Sequence, residues 1–302
     1  MKKLVPVLVV GALVFLGGCG SILIRPAVDK VKKVALISVY MNREFYDVKA
    51  PKASEGAAAL KTLGRATAKA TGVMDMLDNA FAEKQKMIVS YAVKAYSEQL
   101  NDVGDWEWLP VSSVLQSSVY KNFVNLTARE NPAGALVKVG SVLASANYFV
   151  APNMIHIPIE SVAQSGTHVY AGDAKDPKEN MRKALIKLCK DLKVDAVAIV
   201  ELDMGYKKPM MSLKLIGDDP AIPNISSALV VVNKDGELAV KTALISKGQG
   251  TRFEGDKVGL LRKNAIHLTD KGVNAYCQAI DRSAVDMKKK IAEAFKKIGP
   301  RQ

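Results

Sequence analysis

Histidine, cysteine and aromatic side chains are all scarce in this chain. Of 302 residues, three are histidine, three are cysteine and 6% are aromatic. His156, His168 and His267 form no H-x-x-x-H or H-E-x-x-H pair, so a zinc site on one helix face is not indicated. His156, in MIHIPIE, reads as an edge or loop residue rather than a ligand. No G-x-S-x-G occurs, which removes the usual hydrolase elbow. Gly248 and Gly250, in KGQGTRFEG, lack Walker spacing and open no helix, so they do not read as a phosphate cradle. The residues imply no cofactor and no metal. Long apolar runs are missing too, apart from one at the chain start.

That start reads MKKLVPVLVVGALVFLGGCGS. Lys2 and Lys3 precede an apolar stretch from Leu4 to Leu16, shorter than the ~20 residues a spanning helix needs. It has the form of a signal peptide. The ending Leu16-Gly17-Gly18-Cys19 resembles the bacterial lipobox. In that motif the small residues let the backbone enter a protease cleft, and the cysteine sulfur becomes a thioether to diacylglycerol. Cleavage between Gly18 and Cys19 then frees an amine for a further acyl chain such as palmitate. Each buried CH₂ contributes ~0.8 kcal/mol, so two or three chains anchor a protein where one does not. Cys19 is thus the expected lipid-attachment residue and the membrane the expected first partner. Gly20 follows Cys19, where Asp would favour retention at an inner membrane. The resemblance therefore implies an outer-membrane lipoprotein facing the periplasm, if the source has two membranes.

Once Cys19 is acylated, only Cys189 and Cys277 remain. Both fall on apolar helix faces and read as buried thiols, with a bridge open only if their helices touch. The formal net charge is +13 and the pI about 9.5. An envelope address disfavours nucleic acid as the counterpart. Anionic cell-wall polymer, lipid head groups or an acidic protein fit better. The densest basic clusters are Lys288-Lys289-Lys290 and Lys296-Lys297.

The chain divides into a signal peptide (1–18), a tether (19–30) and a single α/β domain (31–302). Residues 41–74 read as an irregular excursion and 125–170 as a loop-rich insertion. KKVALISVY (32–40) reads as a buried strand. A helix is expected over 75–101 and a strand over WEWLPV (106–111). Next comes a short helix capped by Ser112 or Ser113 and reaching Phe123. An edge strand or ordered loop is expected near 147–163, where Pro152 and Pro158 oppose a central strand. DPKE (176–179) is a helix start, followed by the strand VDAVAIVELDM (194–204). SALVVVNKDGELAVKTALIS (227–246) reads as two strands joined at Asp235-Gly236. A last helix spans about 270–298, with apolar residues at steps of three and four. Together these predict a mixed sheet of four to five strands with helices packed on it, a late antiparallel hairpin and a long C-terminal helix.

Candidate contact residues are few. Trp106 and Trp108 lie two apart and share a strand face. With Tyr148 and Phe149 they form the possible partner-binding set, and 147–163 is the candidate recognition loop. Glu201 and Asp203 also share a face; they read as strand-end residues facing solvent, and one or the other would be the acidic group of a hydrolase.

KALIKLCKDLKVDAVAIVEL (183–202) resembles a recurring segment of two envelope lipoprotein families. These are the curli-secretion lipoproteins and the lipoprotein activators of penicillin-binding proteins. The resemblance implies a helix on a mixed sheet, then a strand, a hairpin and a C-terminal helix. It implies a non-catalytic binding or scaffolding module for a protein or cell-wall partner. Two other readings stay open: a hydrolase of envelope polymer and an oligomeric secretion-channel subunit. The channel needs amphipathic strands of about 9–11 residues, and SSVYKNFVNLTA (117–128) alternates poorly.

Overall fold

Apolar sequence decides which strands are central. The computed structural model describes residues 22–43, 45–47, 73–129, 148–159, 177–207, 219–240, 245–255 and 268–299. In chain order the elements are a 3-10 turn (Ala27–Lys30), β1 (Lys33–Asn42), β2 (Tyr46–Asp47), α1 (Val73–Leu100), β3 (Glu107–Trp108), α2 (Val111–Gln116), α3 (Ser118–Arg129) and β4 (Tyr148–Val150). They continue with α4 (Pro177–Leu192), β5 (Ala196–Lys207), β6 (Asp219–Asn233), β7 (Leu238–Val240), β8 (Ile245–Gln249), β9 (Phe253–Gly255) and α5 (Asp270–Ile298). The central path of the sheet runs β3-β1-β5-β6-β7. β4 pairs with β1, β2 with β5, and β8 and β9 with β6. β1 and β5 are parallel, whereas β6 is antiparallel to β5 and to β7. This is the mixed α/β architecture expected from sequence. The described strands number nine, more than four to five, because short strands flank the central five.

Alternation along β5 sorts the core into two layers. Ala198, Val200, Leu202 and Met204 face α1 and α5, where they meet Ile88, Tyr96, Tyr276 and Ile280. Val197 and Ile199 face the other way, toward Tyr120, Leu185, Leu188 and Cys189 of α3 and α4. Cys189 and Cys277 therefore belong to helices on opposite faces of the sheet, and both are free thiols. The bridge left open by the sequence does not form.

β1 breaks the simple alternation. Its pairing with β5 shifts between Leu36 and Ser38, a bulge of one residue. Such a bulge reverses the facing of everything beyond it. Leu36 lies in the α1/α5 layer, but Tyr40, four residues on, lies in the α3/α4 layer.

The α5 layer rests on two glycines. A Cβ on Gly250 would fall within 3.0 Å of the Ala275 carbonyl oxygen, and Gly248 faces Ala279 in the same way. Glycine at alternate strand positions meets alanine one helical turn apart, and backbone seats against backbone. Thr269 caps α5, its side chain accepting from Gly272 N at 3.1 Å. α1 lies parallel to α5, tied by Tyr96 Oη donating to Ser283 Oγ at 2.9 Å. Ser283 Oγ in turn lies 2.8 Å from Ser227 Oγ on β6.

Several local expectations change. Residues 22–30, expected in the tether, are packed into the body: Leu23, Ile24, Ala27 and Val28 are buried. Leu23 bridges Val240, and Ile24 N donates to Ala239 O at 3.1 Å. The strand expected over 106–111 shortens to two residues because Pro110 leads directly into α2. Neither Ser112 nor Ser113 caps: α2 has no side-chain cap, and Ser117 Oγ instead accepts from Val119 N in α3. The segment weighed as a barrel strand, 117–128, is mostly the α3 helix. The hairpin turn forms as read, with Gly236 at φ 78° and Asn233 Oδ1 accepting from Asp235 N and Glu237 N. β7 is described over Leu238–Val240, and β8 pairs with another part of β6. β1 and β2 occupy the start of the expected 41–74 excursion, and β4 lies within 125–170.

Candidate functional site

Residues 148–159 of the anticipated recognition loop (147–163) are held against β1 by three side chains, one from α3 and two from β1; residues 147 and 160–163 lie outside the described residues. Tyr120 Oη on α3 donates to Ile37 O at 2.5 Å and accepts from Ile155 N at 3.2 Å. Ser38 Oγ donates to Ile155 O at 2.7 Å, and Tyr40 Oη accepts from Ile159 N at 3.0 Å. The bulge in β1 is what brings Tyr40 to this face.

These ties gather three rings. His156 lies edge-on to Tyr40 with centroids 4.5 Å apart and stacks on Tyr148 at 4.9 Å. Tyr40 and Tyr148 meet edge to face at 5.4 Å. Burial pushes the His156 imidazole down to about 4, so it is neutral at neutral pH. Its Nε2 is buried with no hydrogen-bond partner among the described residues. The same burial raises the Tyr120 hydroxyl well above its ordinary range. The cluster is a neutral aromatic wall, with Glu201 beside Tyr40 in the β1–β5 register.

The four aromatic residues proposed as a contact set do not share one surface. Trp106 and Trp108 do share a face, with ring centroids 6.1 Å apart, but they are only 4% and 9% exposed. Trp106 also packs edge-on against Phe295 of α5 at 5.2 Å. The pair belongs to the core because β3 is a short strand covered by the ends of α1 and α5. Phe149 is 8% exposed and carries the Arg43 guanidinium 4.8 Å above its ring. Tyr148, its neighbour on β4, points to the opposite face, where it is half-buried. Of the four, only Tyr148 retains substantial exposure.

Glu201 and Asp203 share the α3/α4-side face of β5, as expected, and both are half-buried. They stand opposite Ala228 and Ser226 of β6. No group of three or more His, Cys, Asp or Glu able to hold a metal ion occurs among the described residues. Gly18, Cys19, His168 and His267 lie outside the described residues.

Two features escaped the sequence reading. Asp195, inside the VDA segment, accepts from the Lys32 and Lys33 amides at 3.2 and 3.1 Å and from Lys234 Nζ at 2.8 Å. Burial alone would raise its carboxyl, but Lys234 and the two amides outweigh it and hold it below the ordinary value. One carboxylate thereby joins the starts of β1 and β5 to the hairpin turn. The second is an open groove of about 510 Å³ between α1 and α5, lined by Met87, Tyr91, Val273, Cys277 and Asp281 among others. Met87 is 60% exposed there. Tyr91 Oη donates to the Asp281 carboxylate at 2.8 Å, and burial together with that contact raises the phenol to about 12. Burial raises Cys277 to about 11, so its thiol stays protonated.

No protein-family model matches the chain, and no curated protein matches its sequence. Among the described residues no helix is long and apolar enough to cross a membrane.

Proposed function

We propose that this chain is a lipid-anchored protein of the bacterial cell envelope, acylated on Cys19. Its α/β domain binds a protein or cell-wall partner without catalysis. The observation that carries the reading is the order Lys2-Lys3, apolar run, Leu16-Gly17-Gly18-Cys19. That arrangement has a chemical use for Cys19 that its rival readings lack. The half-buried ring pair of Tyr148 and His156, backed by the buried ring of Tyr40, is the part of the domain best suited to contact. It is neutral and aromatic, and it is held in place by backbone hydrogen bonds.

The anchor is tested by mass spectrometry of the N-terminal peptide from membrane-extracted protein. The expected result is cleavage before Cys19 with acyl mass on that residue. Cys19→Ala should accumulate as uncleaved precursor. An unmodified Cys19 in mature protein would overturn the reading. Crosslinking in cells from Tyr148, followed by identification of the adduct, tests the binding role. A Tyr148→Ala variant with an unchanged adduct profile from neighbouring positions would remove this wall as the contact.

A further inference from the structure

The chain enters the fold at one end of the sheet, and that end carries exposed lysines with no acidic partner among the described residues. Ile22 packs on the core, and Leu23 and Ile24 are stitched to β7. Arg25 Nη2 donates to Gly299 O at 3.0 Å, which places the entry beside the C-terminal end of α5. The starts of β1 and β5 and the β6–β7 turn lie at the same end, joined through Asp195. Most charges there cancel in pairs: Arg25 with Asp29, Lys30 with Asp235 and Glu237, Lys33 with Glu107, and Lys234 with Asp195. Lys32, Lys193, Lys296 and Lys297 are among those that remain. All four are exposed, and none has an ion pair among the described residues. Asp105 and Glu293 are the exposed acids left to oppose them.

We infer that this end of the domain is a membrane-facing surface whose lysines meet anionic lipid headgroups. The inference rests on acylation of Cys19. Three peptide steps separate Cys19 from Ile22, at most ~11 Å at ~3.6 Å per residue. That reach is close to the ~8–10 Å Debye length at ordinary ionic strength, so charges at the entry point feel the bilayer surface. Lysines near an anionic leaflet are attracted to it, and the attraction falls off over that same length. Lys296 and Lys297 also favour the α5 dipole. That role affects helix stability alone and sets no orientation. Lys193 likewise follows the last residue of α4 and favours that helix's dipole, whereas Lys32 sits at no helix end.

The full acylated chain, purified from membranes, is reconstituted into vesicles of phosphatidylethanolamine and phosphatidylglycerol carrying a headgroup energy acceptor. Donor dye is placed at Asn101→Cys, at the entry end, or at Thr251→Cys, at the opposite end, with Cys189→Ala and Cys277→Ala as background. Transfer from position 101 should exceed that from 251 several-fold. The excess should shrink in phosphatidylcholine vesicles, in high salt and when Lys32, Lys193, Lys296 and Lys297 are changed to Gln. Equal transfer from both positions, or a bias toward 251, overturns the inference. So does an excess at 101 that the four substitutions leave intact. Intact-mass measurement on the same sample separates failure of the anchor: a Cys19 without acyl mass overturns the anchor reading and, with it, this surface's reason to meet a bilayer.

Discussion

Gly248 and Ala279 meet with no room for a side chain between them. A Cβ on Gly248 would fall within 3.0 Å of the Ala279 carbonyl oxygen and of the Ser283 amide nitrogen. Both are backbone atoms of a long helix and cannot swing aside. Gly248→Ala is therefore expected to cost about 3 kcal/mol, the upper end for overpacking. Urea unfolding of the isolated variant checks this. A midpoint equal to that of the parent would mean that β8 does not seat on α5 in this way.

Asp195 is expected to matter more than an ordinary surface carboxylate. It binds two backbone amides and Lys234 at once. Asp195→Ala should lower stability by about 2 kcal/mol, the range for hydrogen bonds to a charged group. Because its folded-state carboxyl is held below the ordinary value, its contribution is present above the unfolded pKa. It is lost as pH falls through the folded one. Thermal melts across acidic pH should show a shallower acid loss in the variant.

His156 gives a second pH dependence, in a higher window. Its imidazole titrates near 4 in the folded chain against about 6.5 when unfolded. The unfolded chain thus binds the extra proton between those values. The contribution is intact above pH 6.5 and declines as pH falls toward 4. Between pH 7 and pH 5 the expected loss is about 2 kcal/mol. His156→Phe keeps the ring contacts and should flatten that slope. An unchanged slope in urea titrations would assign the dependence to another group.

The buried hydroxyls of Tyr96, Ser283 and Ser227 tie α1, α5 and β6 together. A double-mutant cycle with Tyr96→Phe and Ser283→Ala should return a coupling of about 1 kcal/mol. Additive effects would mean that the two hydroxyls do not depend on each other.

The long elements were legible because their signals are local. The apolar spacing of α5 and Asp235-Gly236 between β6 and β7 each specify structure within a few residues. What escaped depends on partners distant in sequence. Period-two reading of KVALISVY puts Leu36 and Tyr40 on one face, and only the pairing with β5 reveals the bulge that separates them. Gly248 and Gly250 match no local motif, and their reason lies in Ala275 and Ala279, about thirty residues on. Trp106 and Trp108 were correctly placed on one face. Their burial follows from Phe295, which no spacing rule connects to them. The candidate site is legible only in part: aromatic residues and two prolines mark 147–163 in the sequence, but nothing local marks Tyr40 as its ring partner.

The attachment of Leu23 and Ile24 to β7 has a mechanical consequence. Tension applied through the N-terminus enters the domain at the three-residue edge strand, not at the long β1–β5 pair. That edge is held by the Leu23–Val240 bridge, the Ile24–Ala239 hydrogen bond and the side-chain ties of Arg25 to Gly299 and Lys30 to Asp235 and Glu237, a looser attachment than the continuous β1–β5 ladder. The N-terminal stitch would act as a fuse: under pull, residues 22–31 would leave first, withdrawing Leu23, Ala27, Val28 and Val31 from the core, while the β1–β5 pair held.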